Sequence, residues 1–439
     1  MAAQVESLGT LERRISMSVP LEEIEKRVDE RLKQLARNAK LAGFRPGKVP
    51  MKIVVQQYGP QVRSEVLSDA VQKAFGDAVK EANLKVAGYP RIEQKSEAAA
   101  GSTPPQALEF SATFEIYPEV KVGDLSSQGI ERPQLSVDDA AVERTIQVLR
   151  KQRVTWSSVT RPAQDGDRVT VDFEGKIAGE PFEGGTGTGT TLVLGEGRML
   201  PTFEESLRGA GTGEQRTFEL QFPADYPRAE LAGKTATFAV SLKQVEEPLL
   251  PAVDAEFAKR LGVADGDVEK MRAEVKANVE REVRKRIDAR VKDQALQALL
   301  NAAPMEVPKS LVQMETQQMM ERAAADLQAR GLKLEKVPLD PKVFETGAQK
   351  RVALGLIFAE VARAENLQPK PAQVRALIDA EAQSYENPTE VVKWFYMQPQ
   401  RLSEIEGLAL EANVVDWVVA KARVTEKAVS FDELMGSGS

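Results

Sequence analysis

A short basic turn carries the first residues that could bind a partner. Residues 40–50 read KLAGFRPGKVP, so Phe44 lies in a turn rich in Gly and Pro and has cationic neighbours. Pro and Gly at the centre of residues 45–48 favour a tight turn, and Gly43 is typical of a residue that ends a helix. Two interpretations are open. Either Phe44 caps its own domain, or it is the apolar anchor of a docking tip whose basic side chains contact an anionic surface such as RNA phosphates.

The charge around this turn differs from that of the whole chain. The net charge is −7, yet residues 31–64 contain no Asp and no Glu. The basic residues of this window are Arg31, Lys33, Arg37, Lys40, Arg45, Lys48, Lys52 and Arg63. An acid-free basic window in an acidic protein indicates an anionic partner for that region alone.

The chain contains no Cys and no His. Disulfides, thiol nucleophiles, zinc sites and His general-base catalysis are therefore excluded. No run of acids resembles a calcium-binding loop. If the protein is an enzyme, its reaction needs neither a metal nor a strong base, and we expect no cofactor.

The elements around the turn predict an α+β domain. Alternating apolar residues predict a strand over residues 11–19, a helical period predicts an amphipathic helix from 20 to about 41, and residues 107–120 return to a strand. Two further helices are expected, one that begins near Pro50 and one over residues 60–82.

The rest of the chain changes character twice. Residues 96–106 (SEAAAGSTPPQ) are typical of a loop. Residues 117–153 predict an extended linker and then a helix with Ser136 as its N-cap. Residues 154–248 are dense in Gly and contain short β-runs, and from Pro251 onward the pattern is almost wholly helical.

A long charged helix is expected early in the helical part. Between Asp265 and Asp293, charged residues take more than half of the positions, and apolar residues recur every four. These are Met271, Val275, Val279, Val283, Ile287 and Val291. Because four residues advance about 40° beyond a full turn, the stripe winds around the helix. This pattern predicts an extended arm and not a packed member of a bundle.

The basic turn resembles the ribosome-binding signature of the trigger factor family, bacterial ribosome-associated chaperones. The family pattern Gly-Phe-Arg-x-Gly-x-x-Pro is matched by Gly43, Phe44, Arg45, Gly47 and Pro50. Pro46 stands where a Lys is common, which removes a charge but stiffens the turn, so docking depends more on Arg45 and Lys48. The resemblance implies docking at the polypeptide exit tunnel, on a ribosomal protein at its rim and on the adjacent ribosomal RNA.

Residues 154–248 resemble FKBP-type peptidyl-prolyl isomerases. The similarity lies in the stretches VTVDFEGKIAGEPFEGG, LGEGRMLPTFEESLRG, FPADYP and LAGKTATFAVSLKQVEE. Carried over by motif, the pocket residues are Phe173, Phe182, Glu183, Met199, Leu200, Phe203, Tyr226 and Phe238. Phe203 replaces the Trp of small standalone members at the pocket floor, and Phe173 lacks the hydroxyl of the Tyr found there. Isomerase activity is implied, with poor binding of drug-type ligands.

This reaction suits a chain without His or Cys. Rotation about an X–Pro bond breaks no bond, and its barrier of about 18–20 kcal/mol comes from amide resonance. Water stabilises the charge-separated planar form, so a dry aromatic pocket favours the twisted form. The alternative is that these aromatic residues are only the core of the β-rich domain. The run EGGTGTGTT, residues 183–191, lacks the Lys of a phosphate loop, and we expect a flexible flap beside the pocket.

Methionines are candidates for binding unfolded chains. Met314, Met319 and Met320 are expected near the surface of a helix, and Met suits surfaces that bind many partners. They could equally fill gaps in a core. The family resemblance implies that these helices are arms that cradle nascent chains. Residues 391–397 (VVKWFYM) could belong to that surface or to a core, and we favour the core.

The resemblance to the trigger factor family covers essentially the full length, in the order docking domain, isomerase and helical arms, and the chain is identified as a member of that family. The expected fold is multidomain α+β: an N-terminal α+β ribosome-docking domain, a β-rich FKBP-type domain and an all-α chaperone domain with helical arms. The expected bounds are 1–116 for docking, 154–248 for the isomerase and 249–439 for the chaperone domain. Residues 117–153 are expected to form an extended linker and a helix that packs with the C-terminal domain.

The implied function is that of an ATP-independent chaperone that shields nascent chains and isomerises X–Pro bonds. Two alternatives remain: chiefly a prolyl isomerase with accessory targeting domains, or a nucleic-acid binder that uses the basic turn. The expected partners are the ribosome and unfolded nascent polypeptides, with a possible homodimer off the ribosome. No apolar run approaches the roughly 18–20 residues that span a bilayer, and the N-terminus lacks a signal-peptide pattern, so we expect no membrane partner and a cytoplasmic location.

Overall fold

The computed structural model describes residues 4–38, 44, 49–95, 107–228, 230–332 and 339–436. These residues form two compact units. The first unit consists of residues 1–130 and 292–425, and the second consists of residues 131–291 and 426–439. The expected loop at 96–106 lies outside the described residues.

An antiparallel four-stranded sheet begins the first unit. Its strands are β1 (Gln4–Ser7), β2 (Glu12–Pro20), β3 (Val86–Gln94) and β4 (Ala107–Ile116), in the spatial order β1-β2-β4-β3. Helices α1 (Leu21–Asn38) and α2 (Met51–Glu81) share one apolar core with the sheet. The expected α+β arrangement of this segment is confirmed.

Helix α2 contradicts the expected break at Pro60. One helix runs from Met51 to Glu81 with Pro60 inside it, whereas the sequence predicted separate helices on either side. Proline removes one helical hydrogen bond and crowds the preceding turn. Here Val54 and Val62, before and after Pro60, are buried in the same core. Tertiary packing of one continuous apolar face therefore outweighs the local cost.

The remaining helices of the first unit form the all-α part of the fold. They are α7 (Lys309–Ala329), α8 (Pro341–Ala364), α9 (Pro371–Ala382), α10 (Pro388–Met397) and α11 (Pro399–Lys421). Short strands β5 (Gly129–Gln134) and β11 (Arg423–Ala428) pair with each other.

Helix α10 divides the segment 391–397 between core and surface. Val392 and Phe395 are buried in a cluster with α9 and α11, which confirms the prediction of a core role for these two residues. The prediction is wrong for Trp394, Tyr396 and Met397, which are exposed. A ten-residue helix packed on one side turns its remaining residues to solvent, whatever their apolar character.

A five-stranded antiparallel sheet forms the body of the second unit. Its strands are β6 (Thr155–Val159), β7 (Arg168–Ile177), β8 (Glu180–Val193), β9 (Gln215–Gln221) and β10 (Thr235–Leu249). The spatial order is β6-β10-β7-β8, and β9 also pairs with β10. Helix α4 (Pro201–Leu207) packs against this sheet around one apolar cluster.

The long charged helix is packed, so the prediction that it is not a packed member of a bundle is wrong. Helix α6 (Val268–Ala302) buries Met271, Val275, Val279 and Val283 in one cluster. The other buried members come from α3 (Asp139–Lys151), from α5 (Ala255–Arg260) and the loop after it, and from the C-terminal α12 (Phe431–Met435). A winding stripe is compatible with packing because different neighbours cover successive parts of it.

The N-cap of α3 also differs from the expectation. The side chain of Asp138, and not that of Ser136, accepts a hydrogen bond from the Ala141 N–H at 2.8 Å. Both residue types cap helices well. Local composition alone therefore could not choose between them.

A buried ion pair holds the start of β7. Asp167 is 2% exposed, and its carboxylate accepts two hydrogen bonds from the Arg161 guanidinium at 2.6 and 2.9 Å. It also accepts one from the Gln164 N–H at 2.9 Å. Burial is the largest influence and acts to raise the pKa of Asp167, but these hydrogen bonds and the Arg161 charge together lower the pKa below its usual range.

We expect Asp167→Asn to destabilise the second unit. Because the folded pKa is lowered, the carboxylate stabilises the fold above the ordinary value of 3.8, and this contribution is lost as the pH falls through the lower folded value. The variant should unfold about 4 °C or more below the wild type at pH 7. Its stability should also lack the part of the acid dependence that comes from Asp167. Calorimetry between pH 3 and 7 measures both effects. Asp165→Asn, at the exposed pair with Arg208, is the control and should change little. Equal effects of the two substitutions would contradict a special role for the buried pair.

Among the described residues, no helix is long and apolar enough to cross a membrane.

Candidate functional site

The second unit contains a cavity of about 420 Å³ that is lined by residues of its sheet, of α4 and of the connecting loops. All eight pocket residues predicted from the sequence line it: Phe173, Phe182, Glu183, Met199, Leu200, Phe203, Tyr226 and Phe238. Strands β7, β8 and β10 and helix α4 each contribute, so residues up to 65 positions apart in sequence meet at one place.

Edge-to-face aromatic contacts fix the floor. Phe203 is 2% exposed, and its ring centroid lies 5.6 Å from those of Phe173, Phe218 and Phe238 at steep interplanar angles. Each such pair contributes roughly 0.5–1.5 kcal/mol beyond area burial. The floor is therefore rigid and apolar, and these aromatic residues serve both the core and the cavity.

Glycines allow the rings to lie against the strands. A Cβ atom at Gly175 would lie 2.6 Å from the Phe238 ring, and one at Gly187 would lie 2.5 Å from the Phe173 ring. The Gly-rich run belongs to β8, which pairs with β7, so the expectation of a flexible flap is wrong. Glycine here provides space for aromatic rings rather than mobility.

The charged residues that line the cavity, Glu183, Arg198 and Arg228, are exposed to solvent. The side chain of Glu183 is 94% exposed, and Arg228 donates from Nη1 to the Glu183 carbonyl oxygen at 2.6 Å. Arg198 lies on the opposite lining segment and pairs with Glu196 at 3.2 Å. The interior can therefore exclude water from an apolar ring while the rim can hydrogen-bond to a peptide backbone.

Sequence reasoning missed several lining residues. They are Gly184, Gly197, Arg198, Pro201, Leu220, Phe222, Arg228 and Leu231. Phe222 could have been found, since it lies four residues before Tyr226 in the same motif, and their rings are 4.9 Å apart. Arg228 gave no comparable signal, because a lone Arg in a loop is typical of a solvated surface.

The basic turn is only partly described. Phe44 is 38% exposed, and Pro50 is exposed at the N-cap of α2. The other predicted ribosome-binding residues, Gly43, Arg45, Pro46, Gly47 and Lys48, lie outside the described residues.

The three methionines differ in their surroundings. Met314 is 39% exposed on α7, whereas Met319 and Met320 are half-buried. The terminal methyl of Met319 lies near Gly347 of α8, where a Cβ atom would be 3.3 Å away. Met320 lines a cavity of about 270 Å³ between α7 and the start of α8.

The second unit has an antiparallel sheet and a short helix packed around an aromatic cavity. Comparison with known families assigns this unit to a class of protein. Residues 159–243 match the family of FKBP-type peptidyl-prolyl cis-trans isomerases. Residues 1–149 match the family described as bacterial trigger factor protein, and residues 267–420 match the trigger factor C-terminus. The chain belongs to the trigger factor family.

Relatives from several bacteria are similar over the full length. The trigger factor of Aromatoleum aromaticum is 55% identical over 100% of both chains. That of Azoarcus sp. is 54% identical over 99% of this chain and 98% of its own. A solved structure of the trigger factor chaperone aligns with 95% of this chain and 99% of its own, at 18% identity and a TM-score of 0.47. The protein is thus a ribosome-associated chaperone with an FKBP-type peptidyl-prolyl isomerase domain, as the sequence predicted.

Proposed function

We propose that the aromatic cavity is the place where X–Pro bonds of unfolded chains isomerise. The single observation that supports this is the convergence of eight motif residues on one apolar cavity of about 420 Å³. A proline ring with its preceding amide fits the chemistry of such a site, since the floor is aromatic and the rim is polar.

The cavity acts by favouring the twisted amide. Water stabilises the planar, charge-separated amide more than the twisted form, so removing water lowers the barrier. Fixed rings around Phe203 hold the proline ring, and the preceding carbonyl turns relative to it. Among the aromatic lining residues, Tyr226 carries a hydroxyl that can donate to a substrate carbonyl.

Phe203→Leu tests this assignment. The substitution keeps an apolar floor but removes the edge-to-face contacts, each worth roughly 0.5–1.5 kcal/mol, so we expect kcat/KM for an X–Pro peptide to fall roughly tenfold. Phe257→Leu is the control, because Phe257 is 1% exposed in the same unit but belongs to the cluster around α6. Activity should be measured below the unfolding temperature of each variant.

The same pair of variants separates the two functions. We expect Phe203→Leu to suppress aggregation of an unfolded protein as well as the wild type, because shielding uses the helical surface. If aggregation suppression falls together with isomerisation, the protein is chiefly a prolyl isomerase with accessory domains. If isomerisation is unchanged, the cavity is not the site.

The basic turn is proposed as the ribosome-docking site. Gly43, Phe44, Arg45, Pro46, Gly47, Lys48 and Pro50 would contact a protein at the exit-tunnel rim and the adjacent ribosomal RNA. Two observations support this: Phe44 is partly exposed, and residues 31–64 carry basic residues but no Asp or Glu. Tethering at the tunnel raises the effective concentration of a weak client-binding surface without any nucleotide-driven step.

The helical surface around α7 is proposed to bind clients, with Met314 as its exposed contact and Met319 and Met320 beside it. The proposed domains are 1–116 for docking, 117–153 for the linker helix, 154–248 for the isomerase and 249–439 for the chaperone. A cytoplasmic location and a homodimer away from the ribosome complete the proposal.

A further inference from the structure

One buried carboxylate lies directly behind the cavity. Glu204 follows Phe203 in α4 and is 4% exposed. Its Oε2 accepts a hydrogen bond from the Gly195 N–H at 2.9 Å, and its Oε1 accepts one from the Met199 N–H at 3.2 Å. An ionised carboxylate is costly to bury unless hydrogen bonds compensate it, so this arrangement needs a reason.

The two amides belong to the segment that forms one wall of the cavity. Residues 194–200 connect β8 to α4 and supply Gly197, Arg198, Met199 and Leu200 to the lining. The segment turns through glycines with positive φ, +88° at Gly195 and +68° at Gly197. Such a glycine-containing turn has many accessible conformations, and ordering it costs conformational entropy.

Each end of this segment is also held by backbone hydrogen bonds. The Leu194 N–H donates to the Asp167 carbonyl at 3.0 Å, and the Leu200 carbonyl accepts from the Phe203 N–H at 2.8 Å. Glu204 acts between these ends, since its two oxygens bond to amides four residues apart. Charge-assisted hydrogen bonds to a carboxylate are stronger than neutral ones, which suits a side chain that fixes a glycine-rich turn.

We propose that Glu204 is a positioning residue for the isomerase reaction: it contacts no substrate but fixes Met199 and Leu200 at the distance from the aromatic floor that a twisted prolyl bond requires. This inference rests on the proposed site. A wall that can move fits the planar and twisted forms about equally, and selective stabilisation of the twisted form is then lost.

The test compares two neighbouring carboxylates in the full-length protein. Glu204→Gln keeps the shape, but its amide group turns a donor toward one of the two N–H groups. We expect kcat/KM for an X–Pro peptide to fall about tenfold, since misplacing a wall by a fraction of an ångström has effects of this order. Glu205→Gln, on the exposed side of the same helix, should retain wild-type activity.

A second readout distinguishes positioning from general stability. The Met199 methyl resonance, identified by its loss in Met199→Leu, should shift in Glu204→Gln and not in Glu205→Gln. Thermal unfolding shows whether each variant is folded at the assay temperature. If Glu204→Gln fails to fold, Glu204→Asp replaces it, because the shorter carboxylate keeps its charge but cannot reach both amides.

The outcomes separate this inference from the proposed site. If Phe203→Leu loses activity while folded Glu204→Gln, or Glu204→Asp in its place, keeps kcat/KM within twofold of the wild type, the positioning role is wrong and the site stands. If Phe203→Leu keeps full activity, the site itself is wrong. Loss of activity in both, with a shifted Met199 resonance, supports the positioning role.

Discussion

Replacing Phe44, Arg45 and Lys48 together by Ala is expected to abolish co-sedimentation with ribosomes. Phe44 is 38% exposed although it is a large apolar residue, and it lies within a 34-residue window that contains no acid. In the proposed docking contact, two cations would supply salt-sensitive contacts with phosphates, and a buried aromatic anchor contributes a large share of the affinity of many interfaces. Removal of all three should lower affinity by at least a hundredfold, on the order expected for losing one anchor and two contacts.

A matched control exists in the same unit. Tyr89 and Arg91 on β3 and Lys95 just after it are also one aromatic and two basic residues, all exposed, and Tyr89 is 82% exposed. Their triple replacement by Ala removes the same residue types, so it should leave co-sedimentation unchanged. Equal losses in both variants would mean that charge alone governs binding. If the variant with Phe44, Arg45 and Lys48 replaced still co-sediments with ribosomes, Phe44 is better explained as a cap of its own domain.

Salt and free RNA test the remaining alternative. Binding to ribosomes should weaken as salt rises, because phosphate contacts release counterions. If the wild type binds free RNA as tightly as it binds assembled ribosomes, the chain is a general nucleic-acid binder. Affinity confined to ribosomes would exclude that interpretation.

The sequence predicted half of the cavity lining, eight of its sixteen residues, because these eight belong to short motifs. Phe203 and Met199 lie in one short stretch, and only the sheet could bring Phe173 and Phe238 to it. Arg228 and Glu204 were missed for a different reason. Their roles depend on which backbone groups lie opposite their side chains, and no residue type or spacing records this.

In the fold, too, some features followed from sequence patterns and others only from tertiary packing. The β-runs and the α+β segment followed from periodicity, whereas α2 continues through Pro60 because Val54 and Val62 share one core. The stripe of α6 is visible in the sequence, but its partners in α3 and α12 are not. Sequence patterns specify which faces are apolar, and only tertiary structure specifies what covers them.

Gly175 shows how the backbone of the cavity constrains its chemistry. A Cβ atom here would lie 2.6 and 2.8 Å from carbons of the Phe238 ring and 3.0 Å from the Phe182 ring. Phe238 is 6% exposed and contacts Phe203 edge to face, so a displaced Phe238 ring moves toward the cavity that it lines. A methyl group therefore displaces the ring that separates the strand from the cavity.

We expect Gly175→Ala to lower kcat/KM for an X–Pro peptide more than tenfold and to lower the unfolding temperature of the second unit. Overpacking typically costs about 1–3 kcal/mol, which is enough to tilt rings that must hold a proline. Peptide isomerisation assays and calorimetry measure the two effects. Gly211→Ala is the control, since its Cβ atom would meet Glu214 Oε2 at an ordinary 3.9 Å.

The two variants differ by one methyl group each, so their difference isolates contact with the aromatic rings. If Gly175→Ala keeps wild-type activity, the rings can shift without consequence and the rigid floor is not needed for isomerisation. If only stability falls, Phe238 is a core residue and the reaction depends on the opposite wall. If Gly175→Ala is folded but loses activity, the reaction depends on where the Phe238 and Phe182 rings lie.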